Sequence, residues 1–209
     1  MLSHPRQRYI AAEDETTSSL AIAAARSALD SAGLTAADID GIIVATTTPD
    51  LTFPAVATMV QRELGVPAGT LAFDLQAVCA GFIYAVGVAD GLLQTGRMRR
   101  AIVIGSETMT RILNWEDRTT CVLFGDGAGA VIMERDDSLD ALSGANPRGL
   151  IDLQMNADGN LIDILHTTGG PSSTQSVGHL YMAGKEVFRH AVEKMSGAVL
   201  QLLDAHGFS

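Results

Sequence analysis

The chain is short of cysteine, of aromatic residues and of positive charge. Its 209 residues include two Cys, at 79 and 121, and 5% aromatics. Two cysteines so far apart make neither a disulfide framework nor a metal knuckle. A reducing, cytoplasmic setting is the expectation. Basic residues number 14 against 24 acidic ones, a formal net charge of −10. That balance argues against broad nucleic-acid binding, which needs clustered Lys and Arg. Long hydrophobic runs are also missing. The longest uncharged apolar stretch, around Ala77–Ala89, falls short of the roughly 18 residues of a membrane-spanning helix. The opening Met1-Leu2-Ser3-His4-Pro5-Arg6 has no apolar signal core. No repeat of about 20–50 residues recurs, and no Pro/Ser linker divides the chain.

What is present is a foldable globular composition, 47% apolar with 21 glycines. Thr16 and Thr17 follow three acids and open a helix whose apolar spacing runs from Leu20 to Leu29, with Gly33 as its stop. Gly41–Thr47 is a β-branched run and predicts a buried strand. Pro54 suits the first turn of a second helix, ended by Gly65. Further strands are expected at Thr70–Leu75, Ala101–Gly105 and Ala128–Met133, with weaker ones at Leu150–Asn156 and Asn160–His166. Ala80–Thr95 is apolar almost all round, which predicts a helix buried on every side. Gly184–Ala205 is a long helix with an apolar stripe, and Leu139–Arg148 reads as a loop. Strands alternating with helices predict a layered α/β fold with a largely parallel sheet.

Cys79 carries the strongest chemical signal. It follows the strand ending at Leu75 and stands where the apolar helix begins, among the small residues Ala77, Ala80 and Gly81. Free N–H groups at a helix start favour negative charge, which suits a nucleophilic thiolate there. Its own N–H suits an oxyanion. A buried structural cysteine is the other reading, and for Cys121 core packing is the better one. Phe124-Gly125-Asp126-Gly127-Ala128-Gly129-Ala130 lacks the spacing of a dinucleotide or Walker loop and leads into a strand. Its glycines read as a tight turn between strands. His4, His166, His179, His190 and His206 stand in no metal pattern. Arg97, Arg99 and Arg100 suit a helix C-terminus. Lys185, Arg189 and, less strictly, Lys194 share a helix face, either solvated or docking an acidic partner.

Several segments together resemble one family. Ala77-Val78-Cys79-Ala80-Gly81-Phe82 looks like its nucleophile motif, and Phe124–Ala130 like its FGDGAGA motif. Val44–Thr47 with Phe53-Pro54, Gly105-Ser106-Glu107 and Met182–Phe188 follow in the same order. The family is β-ketoacyl-[acyl-carrier-protein] synthase III, the condensing enzyme that starts type II fatty acid synthesis. The resemblance implies an α/β, thiolase-like layered fold, a mixed and mostly parallel sheet covered by helices, of which this chain is the first half. Residues 1–209 would form a single incomplete thiolase-like domain, with an insertion region at about 136–183 and the start of the second half. Cys79 would accept an acyl group from acyl-coenzyme A and pass it to malonyl-acyl-carrier protein with loss of CO₂.

Other roles follow from the same resemblance. Arg118 would stack on the adenine of coenzyme A, as a planar guanidinium can. Met182, Gly184 and Phe188 would complete the coenzyme A site, and Phe124 and Leu165 the acyl pocket. Phe53 would reach across a homodimer to close the partner's acyl pocket. Lys185 and Arg189 would dock the carrier protein, a contact weakened by salt. The strand Thr70–Leu75 would pair with its copy across the dimer. No metal and no cofactor are implied beyond the coenzyme A thioester. The family's His and Asn lie in VPHQAN-like and GNTSAA-like segments that this sequence does not contain. The chain is expected to be cut at both ends and to lack a first strand central to the sheet. A starter-unit synthase of polyketide or quinolone type and a non-catalytic fragment are the alternatives, with a cysteine hydrolase a weaker one.

Overall fold

The computed structural model describes residues 7–136 and 149–208. The expected loop at Leu139–Arg148 lies outside them. The chain divides into two compact units. The first is built on four strands, β1 (Gly41–Ala45), β2 (Leu71–Leu75), β3 (Arg100–Thr108) and β4 (Asp126–Glu134), with helices α1 (Thr17–Ala32), α2 (Val56–Leu64) and α3 (Gly81–Gln94). The second holds Ile112–Leu123, the hairpin of β5 (Leu165–Thr167) and β6 (Leu180–Met182), and helix α4 (Gly184–Ala205).

The sheet order is β2-β1-β3-β4, with β1 parallel to β2 and β3, and β4 antiparallel to β3. The mixed, mostly parallel sheet is as expected. The missing central strand is not: β1 and β3 pair directly from Gly41↔Ala101 to Ala45↔Gly105. Among the described residues the backbone ladder has no gap, and the outer edges of β2 and β4 are open.

Alternation of side chains across the strands builds a core on each face. Ile42, Val44, Ile102 and Ile104 pack with Ala21, Ala25 and Leu29 of α1 and Val56, Ala57 and Val60 of α2. Ile43, Ala45 and Val103 face Ala85, Ala89 and Leu93 of α3. Burying each such aliphatic side chain contributes roughly 1.5–3 kcal/mol. α1 starts with a reciprocal capping box between Thr16 and Ser19 and stops at the left-handed Gly33.

Several expectations need correction. α3 buries only Gly81, Ala85, Ala89 and Leu93, while Ile83 is 46% exposed. Phe82, Val86, Val88 and Leu92 are only partly buried against the same core. Pro54 precedes α2 rather than opening it, because Ala55 is the N-cap. The Asp74 carboxylate of β2 meets the Val56 and Ala57 N–H groups at 2.7 and 2.8 Å, so a neighbouring strand caps that helix. The FGDGAGA glycines 127 and 129 lie inside β4, not in a turn. Leu150–Asn156 forms no strand, and Asn160–Ile164 belongs to a 3₁₀ segment before β5. Cys121 is half-buried in a turn rather than in the core. Arg100 sits within β3 and pairs with Glu134 at 2.7 Å, so it does not serve a helix end.

Candidate active site

Two parallel strands bring the site together at their C-terminal ends. β2 ends at Leu75, and the chain turns through Gln76 and Ala77 into a single 3₁₀ turn, Val78–Ala80, that leads into α3. Cys79 lies in that turn and is exposed. Val78 is held at φ +47°, a region that β-branched residues avoid and that costs of the order of 1–3 kcal/mol. Gly81 opens α3 against β1. A Cβ added there would stand 3.3 Å from the Ala45 side chain, so the absence of a side chain lets the helix start approach the sheet.

Cys79 opens onto a pocket of about 320 Å³ shared with Ala45, Phe82, Ser106, Glu107 and Gly127–Gly129. Gly129 pairs with Gly105 and Gly127 with Glu107 in the β3–β4 register. These paired positions share the face toward α3, where Phe82 lies 3.4 Å from a Cβ built on Gly105. Among the described residues, apart from the chain neighbours, no atom lies within 4 Å of a Cβ built on Gly127 or Gly129. The alternating glycines therefore keep β4 bare on the cysteine side, while Ala128 and Ala130 turn toward α1.

Glu107 is the charged group of this pocket. Its carboxylate accepts the Thr47 N–H at 2.8 Å, the Thr48 hydroxyl at 2.5 Å and the Thr46 hydroxyl at 3.4 Å. Burial raises its pKa, and the three threonine contacts offset part of that rise. Asp126 of the FGDGAGA segment makes no such pocket contact. It accepts from the Ala11 N–H at 2.8 Å and from the N–H and hydroxyl of Thr110 at 2.8 and 2.6 Å. The preceding Gly125 leaves little room for a side chain, since a Cβ would meet the Tyr9 carbonyl at 3.0 Å. The motif's Gly-Asp pair thus ties the segment before α1 to β4.

Of the other residues singled out by sequence, Phe124 is half-buried at the head of β4 and Phe53 is 82% exposed between β1 and α2. The remainder belong to the second unit. Leu165 pairs with Met182 across the β5–β6 hairpin. Gly184 follows, where an added Cβ would stand 3.6 Å from the Met182 methyl, and Phe188 lies one turn along α4, 61% exposed. Lys185 and Arg189 are exposed on the same helix, whereas Lys194 is engaged by Asp158 at 2.8 Å. Arg118 is exposed in a turn ordered by Asp117, whose carboxylate takes the Thr119 N–H and hydroxyl and the Thr120 hydroxyl. Those bonds lower the pKa of Asp117, the Thr119 hydroxyl most.

Sequence reasoning missed Glu107, Asp126 and Asp117 as organisers. The available signal was a carboxylate ending a β-branched strand, one between glycines, and one two residues before a Thr. Among the described residues, no group of three or more His, Cys, Asp or Glu is placed to hold a metal. No helix among them is long and apolar enough to cross a membrane.

The layered sheet, and the exposed cysteine where its second parallel strand meets a helix, define a thiolase-like α/β protein. A family profile for 3-oxoacyl-[acyl-carrier-protein (ACP)] synthase III matches residues 73–159. The chain is 55% identical over 204 residues to the β-ketoacyl-[acyl-carrier-protein] synthase III of Erythrobacter litoralis (strain HTCC2594), covering 98% of this chain and 62% of that protein. The Agrobacterium fabrum (strain C58 / ATCC 33970) enzyme of the same name is 55% identical over 97% of this chain and 61% of its own length. The crystal structure of 3-oxoacyl-[acyl-carrier-protein] synthase III from Aquifex aeolicus VF5 superposes with a TM-score of 0.85 at 38% identity, over 97% of this chain and 60% of that one. Over nearly its whole length the chain is similar to β-ketoacyl-[acyl-carrier-protein] synthase III enzymes, and it spans about 60% of the length of these relatives.

Proposed function

We propose that this chain carries the acyl-accepting part of a β-ketoacyl-[acyl-carrier-protein] synthase III that initiates fatty acid synthesis. The observation that carries the reading is the exposed Cys79 thiol at the head of α3, facing a pocket floored by glycines. Its thiolate attacks the carbonyl of an acyl-coenzyme A. The tetrahedral oxyanion collapses, the coenzyme A thiolate leaves, and a thioester remains on Cys79. In the condensing step malonyl-acyl-carrier protein loses CO₂. The resulting enolate attacks that thioester, releasing the Cys79 thiolate and a β-ketoacyl-carrier protein. Donors must stabilise each developing oxyanion. The steps call for no metal or redox cofactor.

The second unit supplies the proposed recognition groups. Arg118, Met182, Gly184 and Phe188 would hold coenzyme A; Phe53 and Phe124 on the first unit, and Leu165 on the second, are each proposed as acyl-group contacts. The exposed cations Lys185 and Arg189 would meet the acidic carrier protein. The open edge of β2 would pair with a second copy in a homodimer, and the protein would work in the cytoplasm.

Chromatographic detection of free coenzyme A after mixing with acetyl-coenzyme A tests the reading. Release of up to one equivalent per chain is expected from the wild type, and none from Cys79→Ala. No release by a folded wild-type chain would favour the non-catalytic fragment instead.

A further inference from the structure

The strained turn that presents Cys79 is anchored from outside its own segment. Val78 sits at φ +47°, and such a conformation persists only where the surroundings over-determine it. Downstream, α3 packs on β1 through Gly81 and Ala85. Upstream, the anchor is a hydrogen-bond chain. The Gln76 side-chain amide donates to the Thr47 hydroxyl at 2.6 Å. The Thr47 N–H donates to Glu107 at 2.8 Å. The neighbouring Thr46 N–H donates to the Leu75 carbonyl at 3.1 Å, closing the same corner through the backbone.

We infer that Glu107 and Thr47 are positioning residues: through Gln76 they fix the turn that aims Cys79 into the pocket. The inference rests on Cys79 being the nucleophile, and it adds a role for groups that touch no reacting atom. Glu107 suits the part because two β-strand ends converge on it. Both its oxygens are occupied by the β1 segment, which leaves it an anchor rather than a free base. Burial and three donors make it a rigid one. The link to Gln76 is the point at which that rigidity reaches the turn.

The test is the iodoacetamide alkylation rate of Cys79, read by peptide mass spectrometry against Cys121 in the same chain. Cys121 lies outside this network and serves as internal control. Thr47→Val removes the hydroxyl while keeping shape and the N–H to Glu107. Gln76→Ala breaks the link from the exposed side without touching Glu107. Each variant should lower the Cys79-to-Cys121 rate ratio by about threefold to tenfold, the effect of losing one hydrogen bond. Thr47→Ser should restore the ratio, and the Thr47→Val/Gln76→Ala double variant should be no slower than either single one, the mark of a shared interaction. Unchanged ratios in variants of a fast wild type would overturn the positioning role and leave the nucleophile standing. A wild-type Cys79 no faster than Cys121 would overturn both.

Discussion

β1 and α4 are both rich in apolar residues, and they end in opposite circumstances. All five residues of β1 are buried. None of the 22 residues of α4 is buried, and Phe188, Val192, Met195, Val199 and Leu203, at helical spacing along one stripe, are 37–69% exposed. The difference lies in what packs against each element. β1 has a strand on either side and helices on both faces, so every side chain meets a neighbour. α4 is held by polar contacts: Lys194 with Asp158, and His206 with Asp152, each at 2.8 Å. An apolar pattern selects the element type, and only a covering layer converts it into stability. The first unit carries its covering layers within the chain, and the candidate nucleophile stands on that unit.

The largest expected break of this comparison is a pair of truncations. Ile43→Ala, at a fully buried site, should cost about 2–5 kcal/mol in urea unfolding. Val199→Ala, 55% exposed, should stay within about 0.5 kcal/mol. Equal losses would show that α4 is as covered as β1. A step smaller is Asp126→Ala, which leaves three donors without their acceptor and should cost about 1–3 kcal/mol. Limited proteolysis of that variant should open first before α1.

Acid acts with opposite sign on two pairs of carboxylates, one pair in each unit. Hydrogen bonds from His206 and Lys194 lower the pKa values of Asp152 and Asp158. Their contribution is present above the usual carboxylate pKa and is lost as pH falls through the lowered values. Burial raises Glu107 and Asp74, so the proton binds more tightly to the folded form. The first unit therefore gains from protonating these two groups as pH falls through their raised values. Amide exchange across the acid range should show α4 losing protection below pH of about 4 while β1 and β3 keep theirs. The opposite order would contradict the assignment. The smallest effect expected is a stabilisation of about 1 kcal/mol by Val78→Gly, from relief of the positive φ, measured as a rise in the urea midpoint.

Much of this was legible in the sequence because it is local. The Thr16 start, the Gly33 and Gly65 stops, the β1 run and the whole of α4 follow from propensity and period alone. Cys79 was legible because strand end, small residues and helix start are adjacent in sequence. What was hidden depends on distant partners. Glu107 bonds threonines some sixty residues earlier, and Asp126 bonds Ala11, 115 residues away. The glycines of FGDGAGA looked like a turn because Gly and Asp favour turns locally. They lie in a strand because β3 offers nine residues to pair with. α3 looked buried all round because composition alone does not say which face finds a partner.

The most direct measurement of the central claim is peptide-resolved mass spectrometry after a short exposure to acetyl-coenzyme A. One acetyl group is expected on the peptide carrying Cys79, absent in Cys79→Ala, with Cys121 unmodified. Acetylation of Cys121 at an equal rate, or an adduct that survives Cys79→Ala, would contradict it.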